Sequence, residues 1–197
     1  MLVAALHQGI ADRLPSRLEF YENWLRPEGL HSGTIGLAQV VAVLSFLRTE
    51  GEPYHHVTRR AGEYAGQWTV DALSPVRRRV VDALPRPLRA RVALRICRNL
   101  VRASCAGSRA RARLRRGAGE IAIRGSIFCG VREPSADVLC GFYAVAMARV
   151  LADFGFPGPV RVHACRGMGH RVCQFSIAVA PRARPAAPSD SMERASE

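Results

Sequence analysis

The spacing of apolar residues changes once along this chain, and that change limits the folds open to it. Up to about Ser104 the apolar positions recur every three or four residues, as they do along helices. After Gly107 they alternate. Arg109, Arg111, Arg113 and Arg115 interleave with Ala110, Ala112 and Leu114, and Ile121 and Ile123 interleave with Ala122 and Arg124. Alternation of this kind belongs to strands with one buried face, and Gly117-Ala118-Gly119 between the two runs supplies the reversal of a hairpin.

The helical half divides at its Pro and Gly residues. Ile10 to Trp24 reads as a first helix despite Pro15, broken by Arg26-Pro27-Glu28-Gly29. Ser32 or Thr34 caps a strongly apolar helix over 35–47, which Glu50-Gly51-Glu52-Pro53 ends. Further helices are predicted over 54–73, 75–84 and 87–104. Beyond the hairpin, Pro134 and Ser135 open a long helix that ends near Gly155. Two β-rich runs follow, Pro159 to Cys165 and Arg171 to Val179, with Gly167-Met168-Gly169-His170 as turn. Helices followed by hairpin, helix and hairpin predict an α+β domain, in which helices cover one face of a four-stranded antiparallel sheet. The expected division is a helical N-terminal extension over 1–30, the main domain over 31–180, and a Pro/Arg/Ala-rich tail over 181–197 with nothing to bury.

The chain has 197 residues, 48% of them hydrophobic, which suffices for one sizeable core. No run approaches the roughly 20 apolar residues of a membrane span. Met1 to Leu6 lacks the basic start and full apolar core of a secretory signal, so the expected compartment is the cytoplasm, with reduced cysteines.

All 29 basic residues are arginine, against 16 acidic ones. Such exclusivity resembles a GC-rich coding bias, so position says more than number. Fourteen of the arginines fall within residues 77–116, where Asp82 is the only acid. Arg91, Arg95, Arg98 and Arg102 lie within roughly 60° of one another on a helix, beside an apolar stripe of Val92, Ile96, Leu100 and Ala103. This cationic edge is either a solvated face or a surface for an acidic protein partner or an anionic membrane. No helix-turn-helix, basic zipper or aromatic-interleaved RNA motif accompanies it, which argues against nucleic acid.

Chemistry concentrates at the C-terminal end. Cys165 and Cys173 flank the Gly-rich turn, Cys140 lies upstream, and His163 and His170 lie in or beside the same reversal. His163 and Cys165 are two apart and share a face on a regular strand. Two or three thiols with one or two imidazoles make a ligand set that Zn2+ accepts. Packed inert thiols, or a Cys165–Cys173 disulfide in an oxidising compartment, are the alternatives. No GxSxG elbow, phosphate-cradling loop, HExxH or dinucleotide fingerprint is present, and no catalytic residue is assigned. Ser126 and Ser176 lack a nearby histidine in sequence, and His55 and His56 point apart on a helix. Tyr64 and Trp68, one turn apart, and Phe142 and Tyr143, beside Cys140, either fill a core or line a cavity.

Phe128-Cys129, then Cys140-Gly141-Phe142-Tyr143, then Cys165 with Gly169, Cys173 and Phe175 resemble the closing half of a 4-vinyl reductase domain. That family is similar in fold to the small subunits of TRAPP vesicle-tethering complexes. It includes the aromatic-effector sensor domains of phenol-responsive activators and a protein linked to bacteriochlorophyll synthesis. The resemblance implies the same α+β arrangement, a homodimer, and an apolar pocket lined here by Tyr64, Trp68, Phe128, Phe142 and Tyr143. It implies zinc held by Cys140, Cys165 and Cys173. Val162 stands where relatives carry the acidic ligand, and His170 where an Asp often follows the turn glycine. His163 then replaces the carboxylate, with His170 as the alternative fourth ligand, giving a Cys3His set. The expected function is sensing or carrying a hydrophobic or aromatic small molecule. The alternatives are an accessory protein or reductase of bacteriochlorophyll or tetrapyrrole synthesis, and a TRAPP-like assembly subunit.

Overall fold

The computed structural model describes residues 1–25, 36–115 and 117–179. The predicted break at 26–29, the caps at Ser32 or Thr34, and the tail over 181–197 lie outside them. Among the described residues six helices precede the sheet: α1 (Leu2–Arg13), α2 (Leu18–Glu22), α3 (Leu37–Thr49), α4 (Glu52–Asp71), α5 (Pro75–Asp82) and α6 (Arg86–Ser104). The first predicted helix is in fact two. Pro15 has no amide to donate and pushes the residue before it out of the helical region, and Leu14 stands at φ −139°, ψ 53°. A 3-10 turn over Pro15–Arg17 joins the two pieces. Ser74 caps α5 by accepting a 3.3 Å hydrogen bond from the Arg77 amide, with Pro75 at the first helical position.

The core is organised around α4, which packs between α1 and a later helix, α7 (Gly141–Asp153). Two glycines set the second contact. A Cβ on Gly62 would stand 2.5 Å from the Phe142 carbonyl oxygen, and one on Gly66 would stand 2.7 Å from that of Ala146. Only a residue without a side chain lets the two backbones come this close. On the other side of α4, the buried Leu2, Ala5, Leu6 and Ile10 of α1 join the same core.

The four strands are β1 (Arg109–Arg115), β2 (Ala118–Arg124), β3 (Arg161–Ala164) and β4 (Cys173–Ala178). They form one antiparallel sheet in the order β1-β2-β4-β3, so the two hairpins meet through β2 and β4. The first reversal is tighter than its glycines suggest: Ala118 and Gly119 already belong to β2, paired with Arg115 and Leu114. Ile121, Ile123, Cys173, Phe175 and Ile177 point inward and are buried. Helix α6 packs against β1 and β2 on this side. The arginines of β1 point outward and are exposed. The α+β class, with a helical half and a four-stranded antiparallel sheet, agrees with the expectation from the sequence.

The long helix predicted from Pro134 begins instead at Gly141. Backbone and side-chain groups of the preceding segment bind elsewhere. The Ser135 amide donates to the Gly167 carbonyl at 2.7 Å, the Asp137 amide donates to Ser135 Oγ at 3.1 Å, and the Leu139 carbonyl accepts from the Tyr54 hydroxyl at 2.9 Å. These partners hold 135–139 as an irregular arm laid against the second hairpin. Among the described residues, no helix is long and apolar enough to cross a membrane.

Candidate metal centre

Cys129, Cys140, Cys165 and Cys173 are all buried, and their sulfur atoms lie within 4.8 Å of one another. Four different pieces of chain deliver them. Cys129 ends a 3-10 turn over Ile127–Cys129, placed just after β2. Cys140 ends the irregular arm and is the N-cap of α7. Cys165 follows β3 and precedes a 3-10 turn over Arg166–Met168, and Cys173 opens β4. Gly169, at φ +92°, turns the chain back between the last two.

The shell around the sulfurs is specific. The Tyr54 hydroxyl anchors the arm one residue before Cys140, and burial pushes its pKa well above the usual tyrosine range, so it stays a donor at neutral pH. Gly167 seats the arm from the other side: a Cβ there would stand 2.7 Å from Leu139 Cδ1 and 3.0 Å from Cγ. The bond with Cys129 pushes the Cys173 thiol up, and the Arg166 amide, donating to Cys173 Sγ at 3.3 Å, works in the opposite direction. Cys140 sits where the first amides of α7 and its dipole favour negative charge.

The sulfur geometry suits a tetrahedral ion. Zn–S bonds of about 2.3 Å put tetrahedral sulfurs about 3.8 Å apart. Cys129 lies 3.5 Å from both Cys165 and Cys173, and Cys140 lies 3.4 Å from Cys165. All six cysteines are free, and these separations far exceed a disulfide bond. Without a cation the thiols share protons unevenly. Hydrogen bonds from Cys129 and then Cys140 hold Cys165 far below the ordinary thiol range, while the bond with Cys129 pushes Cys140 up. A divalent cation held by the four cysteines would remove that imbalance, since each would bind it as a thiolate. Cys97 shows the contrast: it is equally buried but isolated, and burial pushes its thiol up to about 12.

The structure therefore brings together three of the four ligands expected from the sequence, and the fourth differs. His163 faces away. The β3–β4 register shifts between Val162 and Ala164, which cancels the simple alternation that put His163 beside Cys165. Its ring instead hydrogen-bonds the Ser176 hydroxyl on the outer face of the sheet, so a histidine does approach Ser176. His170 is exposed in the turn. Cys129 takes the fourth corner. Its signal was present in the sequence, as a cysteine in the apolar run Ile127-Phe128-Cys129 directly after a strand, yet nothing local tied it to the hairpin 36 residues on.

The five aromatic residues expected to line one pocket separate into two groups. Phe128, Phe142 and Tyr143 are buried against one another, with Phe128 and Phe142 stacked at 4.7 Å, and they fill core space beside the cysteines. Tyr64 and Trp68 form a tilted pair at 5.5 Å on the far side of α4, where the Tyr64 hydroxyl donates to Asp12 at 2.8 Å. Hydrogen bonds from Arg60 and then Tyr64 hold the Asp12 carboxyl below its usual range.

Trp68 borders a groove of about 590 Å3, shared with Leu73, Val81, Val92, Ile96 and Leu100. The apolar stripe of Val92, Ile96, Leu100 and Ala103 on α6 thus lines this groove, while the deeper core contacts come from Ala93, Leu94, Cys97 and Val101. Of the cationic edge, Arg91, Arg95 and Arg102 are exposed and Arg98 is half-buried. A scan against protein-family models, and searches of curated proteins and of solved structures, find no match to this chain.

Proposed function

We propose that this chain is a small-molecule-binding domain of the 4-vinyl reductase type, whose second hairpin is stapled by a structural Zn2+ on Cys129, Cys140, Cys165 and Cys173. The observation that carries the reading is the meeting of four buried sulfurs from four separate segments within 4.8 Å. Four protein ligands leave no open coordination position, so a bound ion would cross-link the fold and supply no reactive water. The chemistry such an ion contributes is thiolate charge neutralisation. The chain's own part is to hold the sulfurs in place, through the Tyr54–Leu139 hydrogen bond, the Gly167–Leu139 contact and the Arg166 amide.

The ligand site in this reading is the groove between α4, α5 and α6. Its size is that of a small-molecule site, and its walls are mostly apolar. Arg77 and Arg95 also line it. An aromatic or aliphatic body against Trp68, Val92 and Ile96, with a carboxylate reaching an arginine, matches this lining. The cationic edge of α6 then has a specific use at Arg95.

Metal analysis and ligand titration test the two halves separately. Protein purified without chelators is expected to carry about one zinc per chain, and less than about 0.2 sinks the metal assignment. Phenylalkanoic acids are expected to quench Trp68 fluorescence and raise the melting temperature, with both responses lost in Ile96→Asp. A flat response across that series, in zinc-loaded protein, overturns the groove assignment and leaves the staple standing.

A further inference from the structure

The outer face of the sheet carries a charge arrangement that neither the metal centre nor the groove uses. A trough of about 620 Å3 crosses it, with Arg109, Arg111, Arg113 and Arg124 along one side and His163, Gln174 and Ser176 along the other. Arg109 stands directly opposite Arg124 in the β1–β2 register. Like charges in that position repel and destabilise a sheet. Elsewhere the same hairpin avoids the problem by setting Glu120 opposite Arg113. Among the described residues, Arg109, Arg111, Arg113 and Arg124 make no salt bridge. Ala122 lies between Arg111 and Gln174 in the register, and its short side chain leaves the middle of the trough open.

We infer that this trough binds a compact small molecule bearing at least two phosphoryl groups, bridged between Arg109 and Arg124 and reaching towards Arg111. Guanidinium groups pair with phosphate oxygens in forked, charge-assisted bonds, and a bridging anion turns the Arg109–Arg124 repulsion into attraction. The trough has the dimensions of a small-molecule site. Among the described residues its outward positions hold no Phe, Tyr or Trp ring, and the His163 ring is engaged with the Ser176 hydroxyl, so it lacks the row of stacking rings of a nucleic-acid platform. Of the large apolar residues that border it, Ile121 and Phe175 are buried and Val172 is half-buried, which leaves little to enter a bilayer. Glu120 borders the site and works against the anion, which gives the test a direction of gain as well as loss.

The experiment is calorimetric titration of the full-length protein with tripolyphosphate at low ionic strength. Saturable binding that weakens with added salt is expected. Arg109→Ala/Arg124→Ala is expected to weaken it by more than about tenfold, Glu120→Gln to strengthen it severalfold, and Arg13→Ala, at an exposed arginine on α1, to leave it unchanged. The double variant is also expected to melt higher than the parent without ligand, because the like-charge pair is gone, while losing the rise that tripolyphosphate gives the parent. No saturable binding, equal weakening by Arg13→Ala, or an unchanged affinity in the double variant overturns the proposal. Binding of phosphatidylserine vesicles that tripolyphosphate fails to compete also overturns it, in favour of a membrane-facing sheet. None of these outcomes bears on zinc content or on the α4–α6 groove.

Discussion

The two hairpins of the sheet are held by different means. The first, β1–β2, aligns seven residue pairs without interruption and reverses at Gly117, so its order follows from alternation and a turn that are adjacent in sequence. The second pairs a four-residue strand with a six-residue one across an irregular register, and residues 165–172 separate the two strands. A short, bulged hairpin with so long a connection has little of its own to hold it. Sulfur from outside the hairpin compensates, with Cys129 arriving after β2 and Cys140 before α7. Local pattern suffices for one hairpin, and the other gathers distant sulfurs that a bound ion would cross-link.

The largest effect that could break this contrast comes from the cross-links themselves. Cys129→Ser is expected to remove bound zinc and to destabilise the chain by more than about 4 kcal/mol, which for a domain of this size is a fall of about 10 °C in melting temperature. Hydrogen exchange should then quicken in β3 and β4 well before β1. Cys105→Ser, at a cysteine outside the cluster, is expected to keep the zinc. Equal loss in both variants, or uniform exchange across the sheet, would remove the distinction between the hairpins.

A smaller effect is expected where the arm is seated. Gly167→Ala sets a methyl group against Leu139 and should cost about 1–3 kcal/mol, with zinc still bound but released faster to a chelator. Unchanged release kinetics would show that the arm does not govern access to the site. The smallest effect belongs to His163→Ala. It should leave zinc content unaltered and stability within about 0.5 kcal/mol, as for an exposed position. Loss of zinc in that variant would contradict the bulge and return the histidine to the inner face.

Much of this was legible before any coordinates. The change of period near Gly107 marks where helices give way to strands, because alternation and helical spacing bury different sets of side chains. The Gly-rich turn between Cys165 and Cys173 announces the second hairpin and places two of the sulfurs close together. Cys140 enters the expected set through the resemblance, although the helix predicted from Pro134 placed it inside a helix and the structure places it just ahead of one. The residues quoted for the resemblance to the 4-vinyl reductase pattern include the four cysteines that cluster in the structure.

Other features depend on contacts that no local pattern encodes. His163 leaves the site because one extra residue in β3 turns its side chain to the opposite face, and a bulge is a property of two paired strands, invisible in either alone. Cys129 enters because the chain after β2 folds back under the hairpin. Helix α7 starts late because Ser135 and Leu139 find partners in Gly167 and Tyr54. The alternating arginines of β1 already predicted one charged face, but the position of Arg124 against Arg109 is a matter of strand pairing. The sequence by itself determined which residues are inward or outward within the regularly paired strands β1, β2 and β4, since there local periodicity runs without a bulge. Tertiary structure alone decided which of them meet, because register, close helix approach and the path of an irregular arm are set by distant backbone.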